Sequence, residues 1–179
     1  MRETMIGNAW KFGDNIDTDV ITTYKLLLGV PGEEEYQMLR KNAFQALRKD
    51  FYKQVKPGDI LIAGENFGFG SHREQANIVL PLLGFQAIIS ESFARIYFRN
   101  SIAIGFPAYE VPGITAIVDE GDQLEIDSVN NIITNKTNGK VCSIEPHSEM
   151  VGKILDAGNI FNFMRDRLER EFAANRGSQ

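Results

Sequence analysis

The sequence predicts an α/β fold with a hairpin-rich section, and three observations carry that reading. Ile60–Ala63 is a short, continuously apolar run of the kind found in a buried strand, and residues 85–89 are again strand-like. The segments after them, from Ser71 toward Leu80 and from Ser92 to about Ile104, have helical spacing, so strand and helix alternate. Beyond residue 115 come short strand candidates at 116–118, 123–126, 132–134 and 140–144, separated by Gly121-Asp122, Asn130-Asn131 and Asn138-Gly139. The last pair favours a two-residue hairpin turn with positive φ.

Taken in order, residues 6–12 read as a strand that runs into the turn Gly13-Asp14-Asn15 and the polar segment Asp17-Thr18-Asp19. Val20-Ile21 and the apolar Leu26-Leu27-Leu28 follow, closed by Gly29 and Pro31. Residues 33–51 have an interrupted helical pattern with Tyr36, Leu39, Phe44, Leu47 and Phe51 as apolar positions, and Lys56-Pro57-Gly58-Asp59 is a turn. Gly105 is the expected stop of the helix that begins near Ser92. From Ser148 the pattern turns helical, breaks near Gly158, and resumes through Ile160, Phe163, Leu168 and Phe172. Without repeat, low-complexity block or linker, residues 1–179 read as one domain, with a polar tail expected to be flexible after about residue 173.

Composition narrows the function. The chain has 179 residues, 19 Lys plus Arg and 24 Asp plus Glu, a net charge of −5 that argues against a nucleic-acid binder relying on phosphate neutralisation. With 43% hydrophobic and 24% charged residues it has the make-up of an ordinary globular protein. No apolar run approaches the ~18–20 residues needed to cross a bilayer, and the first residues lack a signal-peptide pattern, so a cytoplasmic protein without membrane partner is expected. Cys142 is the single cysteine. The chain therefore forms no internal disulfide and cannot alone supply the thiolates of an iron–sulfur cluster or a structural zinc, and His72 and His147 do not complete a metal set.

Residues 64–74 are the most informative stretch. Three glycines between a buried strand and a helix allow a sharp turn and close approach to a ligand, and the first N–H groups of the helix favour an anion. Arg73 stands where the macrodipole favours acids, which points to an external anion. Against that, Ser71 and Glu74 have capping-box spacing, and Asp17-Thr18-Asp19 is equally readable as a loop whose side chains bond local backbone. His72 reads as a helix-start residue and His147 as solvated. Cys142 reads as a small apolar strand residue. Arg95 and Arg99 share a helix face open to solvent or an anionic partner.

Three segments taken together resolve these alternatives. Residues 14–19 (DNIDTD), 66–76 (NFGFGSHREQA) and 92–100 (SFARI followed by Arg99-Asn100) strongly resemble the small subunit of 3-isopropylmalate dehydratase and its homoaconitase relatives, over roughly residues 6–165. The ordered set is far more specific than any one part. The resemblance implies a single swivelling β/β/α domain of the aconitase superfamily and a hydro-lyase that moves a hydroxyl between adjacent carbons of a dicarboxylate. It also implies an iron–sulfur large subunit as partner, carrying a [4Fe–4S] cluster, with no cofactor held by this chain. By motif matching Ser71 takes the place of the catalytic base, Asp19 that of an active-site aspartate with Asp17 beside it, and Arg73 that of the substrate-carboxylate clamp; Thr22 and His72 are further expected substrate contacts.

Two departures from the family pattern stand out. His72 replaces the usual second serine, and Ala103 stands where the family often has asparagine. Substrate choice in the family is associated with the loop after Asp-Thr-Asp, where homoaconitases present an arginine; ungapped matching puts Leu28 there. An apolar loop suits an isopropyl or methyl branch better than a third carboxylate, so isopropylmalate is favoured over dimethylmalate, methylmalate or homoaconitate, although Lys25 is long enough to reach a carboxylate. The reading from another class is a non-catalytic anion-binding module. Such a module has no need of Asp19, Ser71 and Arg73 together.

Overall fold

The computed structural model describes residues 4–22, 32–71 and 74–176. Its centre is β1 (Thr4–Lys11), a strand that serves two neighbours in turn. Residues Thr4 to Asn8 pair antiparallel with β5 (Gln123–Asp127), while Ala9 to Lys11 pair parallel with β2 (Ile60–Ala63). Outward from β2 the parallel half continues through β3 (Ala87–Ser90) and β4 (Ala108–Glu110). Outward from β5 the antiparallel half continues through β6 (Ile132–Asn135) and β7 (Val141–Ser143), which gives the seven-strand order β4-β3-β2-β1-β5-β6-β7.

Because successive strand side chains point to opposite faces, the apolar runs feed two cores. Leu61, Ala63 and Ile88 face the first, beneath α1 (Thr18–Ile21), α2 (Glu33–Asn42), α3 (Gln75–Leu83) and α4 (Arg95–Ala103). Ile60, Ile62, Ala87 and Ile89 face the second, where they meet Leu124, Ile126 and Ile133 of the antiparallel half. The sheet thus curls over its own second face, in a β/β/α arrangement. The continuous runs at 60–63 and 87–90 are buried on both sides, as runs without polar alternation require. At the C-terminus α5 (Glu149–Asp156) and α6 (Ile160–Arg176) close a third cluster of Ile102, Ile154 and Leu155 against α4. Among the described residues no helix is long and apolar enough to cross a membrane.

Several local expectations hold. Ser148 caps α5 by accepting from the Val151 amide at 3.4 Å, Gly105 follows α4 with φ +79°, and Gly158 (φ +81°) breaks α5 from α6. Others are corrected. The helical pattern at 33–51 ends at Asn42: Phe44 takes φ +56° so that its ring reaches Phe12 (4.7 Å between centroids) and Phe51 (5.5 Å), and residues 51–53 form a separate 3₁₀ turn. The strand expected at 116–118 is a 3₁₀ turn at Ile114–Ala116, leaving Val118 in the second core. At Asn138-Gly139 the hairpin loop has four residues instead of two, since the Asn135 amide donates to the Lys140 carbonyl and only Gly139 has positive φ. His147, expected to be solvated, is half-buried. It stacks on Tyr109 (5.1 Å, 19°), and burial pushes its pKa below the usual histidine value.

Candidate active site

The loops that leave the C-terminal ends of β1, β2 and β3 lie side by side, and the three motif segments are these loops. Backbone bonds zip the first to the second: the amides of Asn15, Gly68 and Thr18 donate to the carbonyls of Glu65, Ile16 and Phe69, each at 2.8 Å. The second is zipped to the third by Phe67 N–H to Ser92 (3.0 Å) and Ala94 N–H to Phe67 (2.9 Å). Side chains complete the seam. Asp14 Oδ1 accepts the Glu65 amide at 2.8 Å, Asn66 Nδ2 donates to Asn15 Oδ1 at 3.0 Å, and Ser92 Oγ accepts the Asn66 amide at 2.9 Å.

Glycine is required at two places in the middle loop. Gly68 has φ +79°, and a Cβ there would lie 2.1 Å from the Tyr97 ring, which is wholly buried beneath the loop. Gly70 has φ +109°, and its Cβ would lie 2.5 Å from Asp17 Oδ1 and 2.8 Å from Thr18 Oγ1. The absence of both side chains lets the loop bend down onto the start of α1.

That contact builds the site. Asp17 precedes α1 and its Oδ1 accepts the Asp19 amide at 2.7 Å, which fixes the one-turn helix and aims Asp19 toward the second loop. Ser71 Oγ donates to Asp19 Oδ1 at 3.4 Å and lies 3.3 Å from Thr18 Oγ1, while the Ser71 amide donates to Thr18 Oγ1 at 3.1 Å. Ser71 and Asp19 are exposed and Thr18 is buried, so a reactive edge rests on a fixed base. The capping-box reading of Ser71 is not what forms. α3 begins at Gln75, Glu74 before it is already helical (φ −54°, ψ −33°) and makes no side-chain capping bond, and the Ser71 hydroxyl turns to α1 instead.

The remaining expected residues divide by location. Thr22 is buried at the C-terminal end of α1, where its amide donates to the Thr18 carbonyl and its hydroxyl has no partner among the described residues. His72, Arg73, Lys25 and Leu28 lie outside the described residues. Arg95 and Arg99 are exposed on α4, whose first turn follows the third loop. Thr18 is the residue that sequence reasoning passed over. Its place between two aspartates gave the signal, but only the fold brings it against Ser71.

Comparison with known proteins agrees with this geometry. The Aconitase C-terminal domain model matches residues 22–110, a span that holds the second and third loops. The 3-isopropylmalate dehydratase small subunit 1 of Archaeoglobus fulgidus is 44% identical over 165 residues, covering 92% of this chain and 99% of that protein. The isopropylmalate/citramalate isomerase small subunit of Methanocaldococcus jannaschii is 40% identical over 168 residues, 94% of this chain and 98% of its own length. A crystal structure of 3-isopropylmalate dehydratase from the same organism superposes with a TM-score of 0.87 at 33% identity, covering 96% of this chain and 99% of that one. With nearly full coverage in both directions and the motif loops forming one site, the chain belongs to the family of 3-isopropylmalate dehydratase small subunits.

Proposed function

We propose that this chain completes, on a large subunit, the active site that interconverts 2-isopropylmalate and 3-isopropylmalate by dehydration and rehydration. The observation that carries the reading is the Ser71 hydroxyl held between Asp19 and Thr18 where the three loops converge. In the forward half-reaction Ser71 Oγ takes the proton from the carbon next to the departing hydroxyl, the C–H electron pair becomes the double bond, and hydroxide leaves. Rehydration reverses these steps with the hydroxyl on the neighbouring carbon. Asp19, within reach of Ser71 Oγ, is the group that accepts the serine proton beforehand.

A serine base is demanding, because each unit by which its pKa falls requires about 1.4 kcal/mol. A helix N-terminus supplies only ~0.3–2 kcal/mol, so the clamp Arg73 and the partner's surface must contribute the rest in a site closed to water. Ser71 and Asp19 are exposed in the single chain, which is therefore half a site. The relatives' names as small subunits support a large-subunit partner. A [4Fe–4S] cluster does not fit this chain: its one cysteine, Cys142, is on β7 at the far edge of the antiparallel half, and no group of three or more His, Cys, Asp or Glu among the described residues is placed to hold a metal. We place the cluster on the large subunit, where its chemistry is Lewis-acid assistance to the leaving hydroxyl, and the complex in the cytoplasm.

Ser71→Ala in the complex with the large subunit, followed by ultraviolet absorbance of the unsaturated intermediate, tests the assignment. Turnover is expected to fall at least about 100-fold, as for loss of a general base. Because Ser71 does not cap α3, thermal stability should stay within about 0.5 kcal/mol. The single chain should turn over nothing. A variant that is destabilised yet active, or an active single chain, contradicts the proposal.

A further inference from the structure

We propose that Thr18 is a positioning residue for the reaction: its hydroxyl holds Ser71 at two atoms and is the donor that turns to Ser71 Oγ once that oxygen has given up its proton. This rests on the reading of Ser71 as the base and deepens it. Thr18 opens α1 and is 1% exposed, so its side chain has a single packed setting, further restricted by the β-branch. Its Oγ1 accepts the Ser71 amide at 3.1 Å and lies 3.3 Å from Ser71 Oγ and 3.4 Å from Asp17 Oδ1. The Gly70 backbone approaches so closely that a side chain there would strike this same oxygen.

A hydroxyl has one proton to donate, and that restriction decides the direction. In one arrangement Thr18 donates to Ser71 Oγ, which donates to Asp19. In the other Ser71 donates to Thr18, which donates to Asp17 Oδ1. Both are open to a protonated serine. Once the Ser71 proton has passed to Asp19, Ser71 Oγ can only accept, and the second arrangement no longer exists. Thr18 then donates to the anionic oxygen while the Ser71 amide, bonded to Thr18 Oγ1, polarises that same O–H. The donor is in place before the charge develops and needs no reorganisation when it does. Once Asp19 has taken the proton, the charged group that remains beside this pair at the start of α1 is Asp17, which opposes an anion, so a fixed neutral donor is the support that α1 can give.

The test uses the complex with the large subunit. Thr18→Val, nearly isosteric, should lower kcat about 100-fold, the scale for losing one preorganised donor, with KM within about twofold. The acidic limb of its kcat–pH profile should move to higher pH, because an unsupported base is harder to deprotonate. Thr18→Ser should restore most of kcat and the wild-type profile. If Thr18→Val does not fold, Thr18→Ala is read in the same way. A rise in KM with kcat kept, an unmoved pH profile, or failure of Thr18→Ser to rescue overturns the proposal. An inactive wild-type complex or an active Ser71→Ala complex overturns the base reading and this inference with it, whereas normal behaviour of both with an unaffected Thr18→Val removes this inference alone.

Discussion

On the parallel side of β1, strands β2 and β3 end in loops that cross over to helices, and their polar groups bond to loops far away in sequence. Asp14 meets Glu65, Asn15 meets Asn66, and Ser71 meets Thr18 and Asp19. On the antiparallel side β5 and β6 turn straight back, and the side-chain oxygens at their ends close on their own turn. Asp127 accepts the amides of Val129 and Asn130, and Asn135 Oδ1 accepts those of Thr137 and Asn138. The difference follows from connectivity. A hairpin brings its ends together and leaves nothing open, whereas parallel strands bring several crossover loops to one edge of the sheet, where ligands are bound in open α/β sheets. The same glycines and Asx residues build turns in one half and a reaction site in the other.

The comparison is broken most directly at a glycine of the seam. Gly68→Ala combines a positive φ with a Cβ driven into the buried Tyr97 ring, which itself packs against Phe67 at 5.2 Å. Strained backbone and overpacking together should lower stability by about 3–5 kcal/mol, measured by denaturant unfolding, and should remove activity with it. A Gly68→Ala chain as stable as the wild type would show that the three loops are not packed as one unit.

How much of this was legible in the sequence depends on the range of the interaction that fixes each feature. β2, the Ser148 cap and the Gly105 stop follow from neighbours within a few residues, and all three appear where local pattern puts them. β4 did not, because its three residues, 108–110, carry no period and become a strand only by pairing with β3. The capping reading of Ser71 failed for the same reason: the hydroxyl had a second partner 53 residues away, and the tertiary bond won. His147 follows that pattern too, since only the fold supplies the Tyr109 and Phe98 rings against which it packs. The motif segments were recognisable as a set, but the set said nothing of Thr18, whose importance lies in where its oxygen points.

A substitution in the hairpin half sharpens the contrast. Asn135 is buried and spends its amide on Asp122 Oδ2 (2.7 Å) and the Ile117 carbonyl (2.9 Å), and the first of these bonds helps hold the Asp122 carboxyl below its usual pKa, after the larger contribution of the Asp119 amide. Asn135→Ala leaves those acceptors and two turn amides without their partner, which should cost about 2–3 kcal/mol. The assembled complex, below its unfolding transition, should keep kcat and KM within about twofold. A large kcat loss at unchanged stability would mean that the antiparallel half reaches the reaction.

The smallest expected effect comes from the hairpin counterpart of Gly68. Gly139 has φ +74°, close to the value at Gly68, but an added Cβ there meets nothing within 4 Å. Gly139→Ala therefore isolates the backbone term. An L-residue in the left-handed region costs roughly 1–2 kcal/mol, offset in part because alanine also restricts the unfolded chain. A net loss near 1 kcal/mol is expected in denaturant unfolding, with turnover of the complex unchanged. Subtracting it from the Gly68→Ala value leaves the cost of forcing a side chain against Tyr97, and that remainder should be the larger part. Equal losses at the two glycines would mean that strain in the turn, and not the closeness of the loops, sets the cost at both, and the distinction between the halves of the sheet would fail at this point.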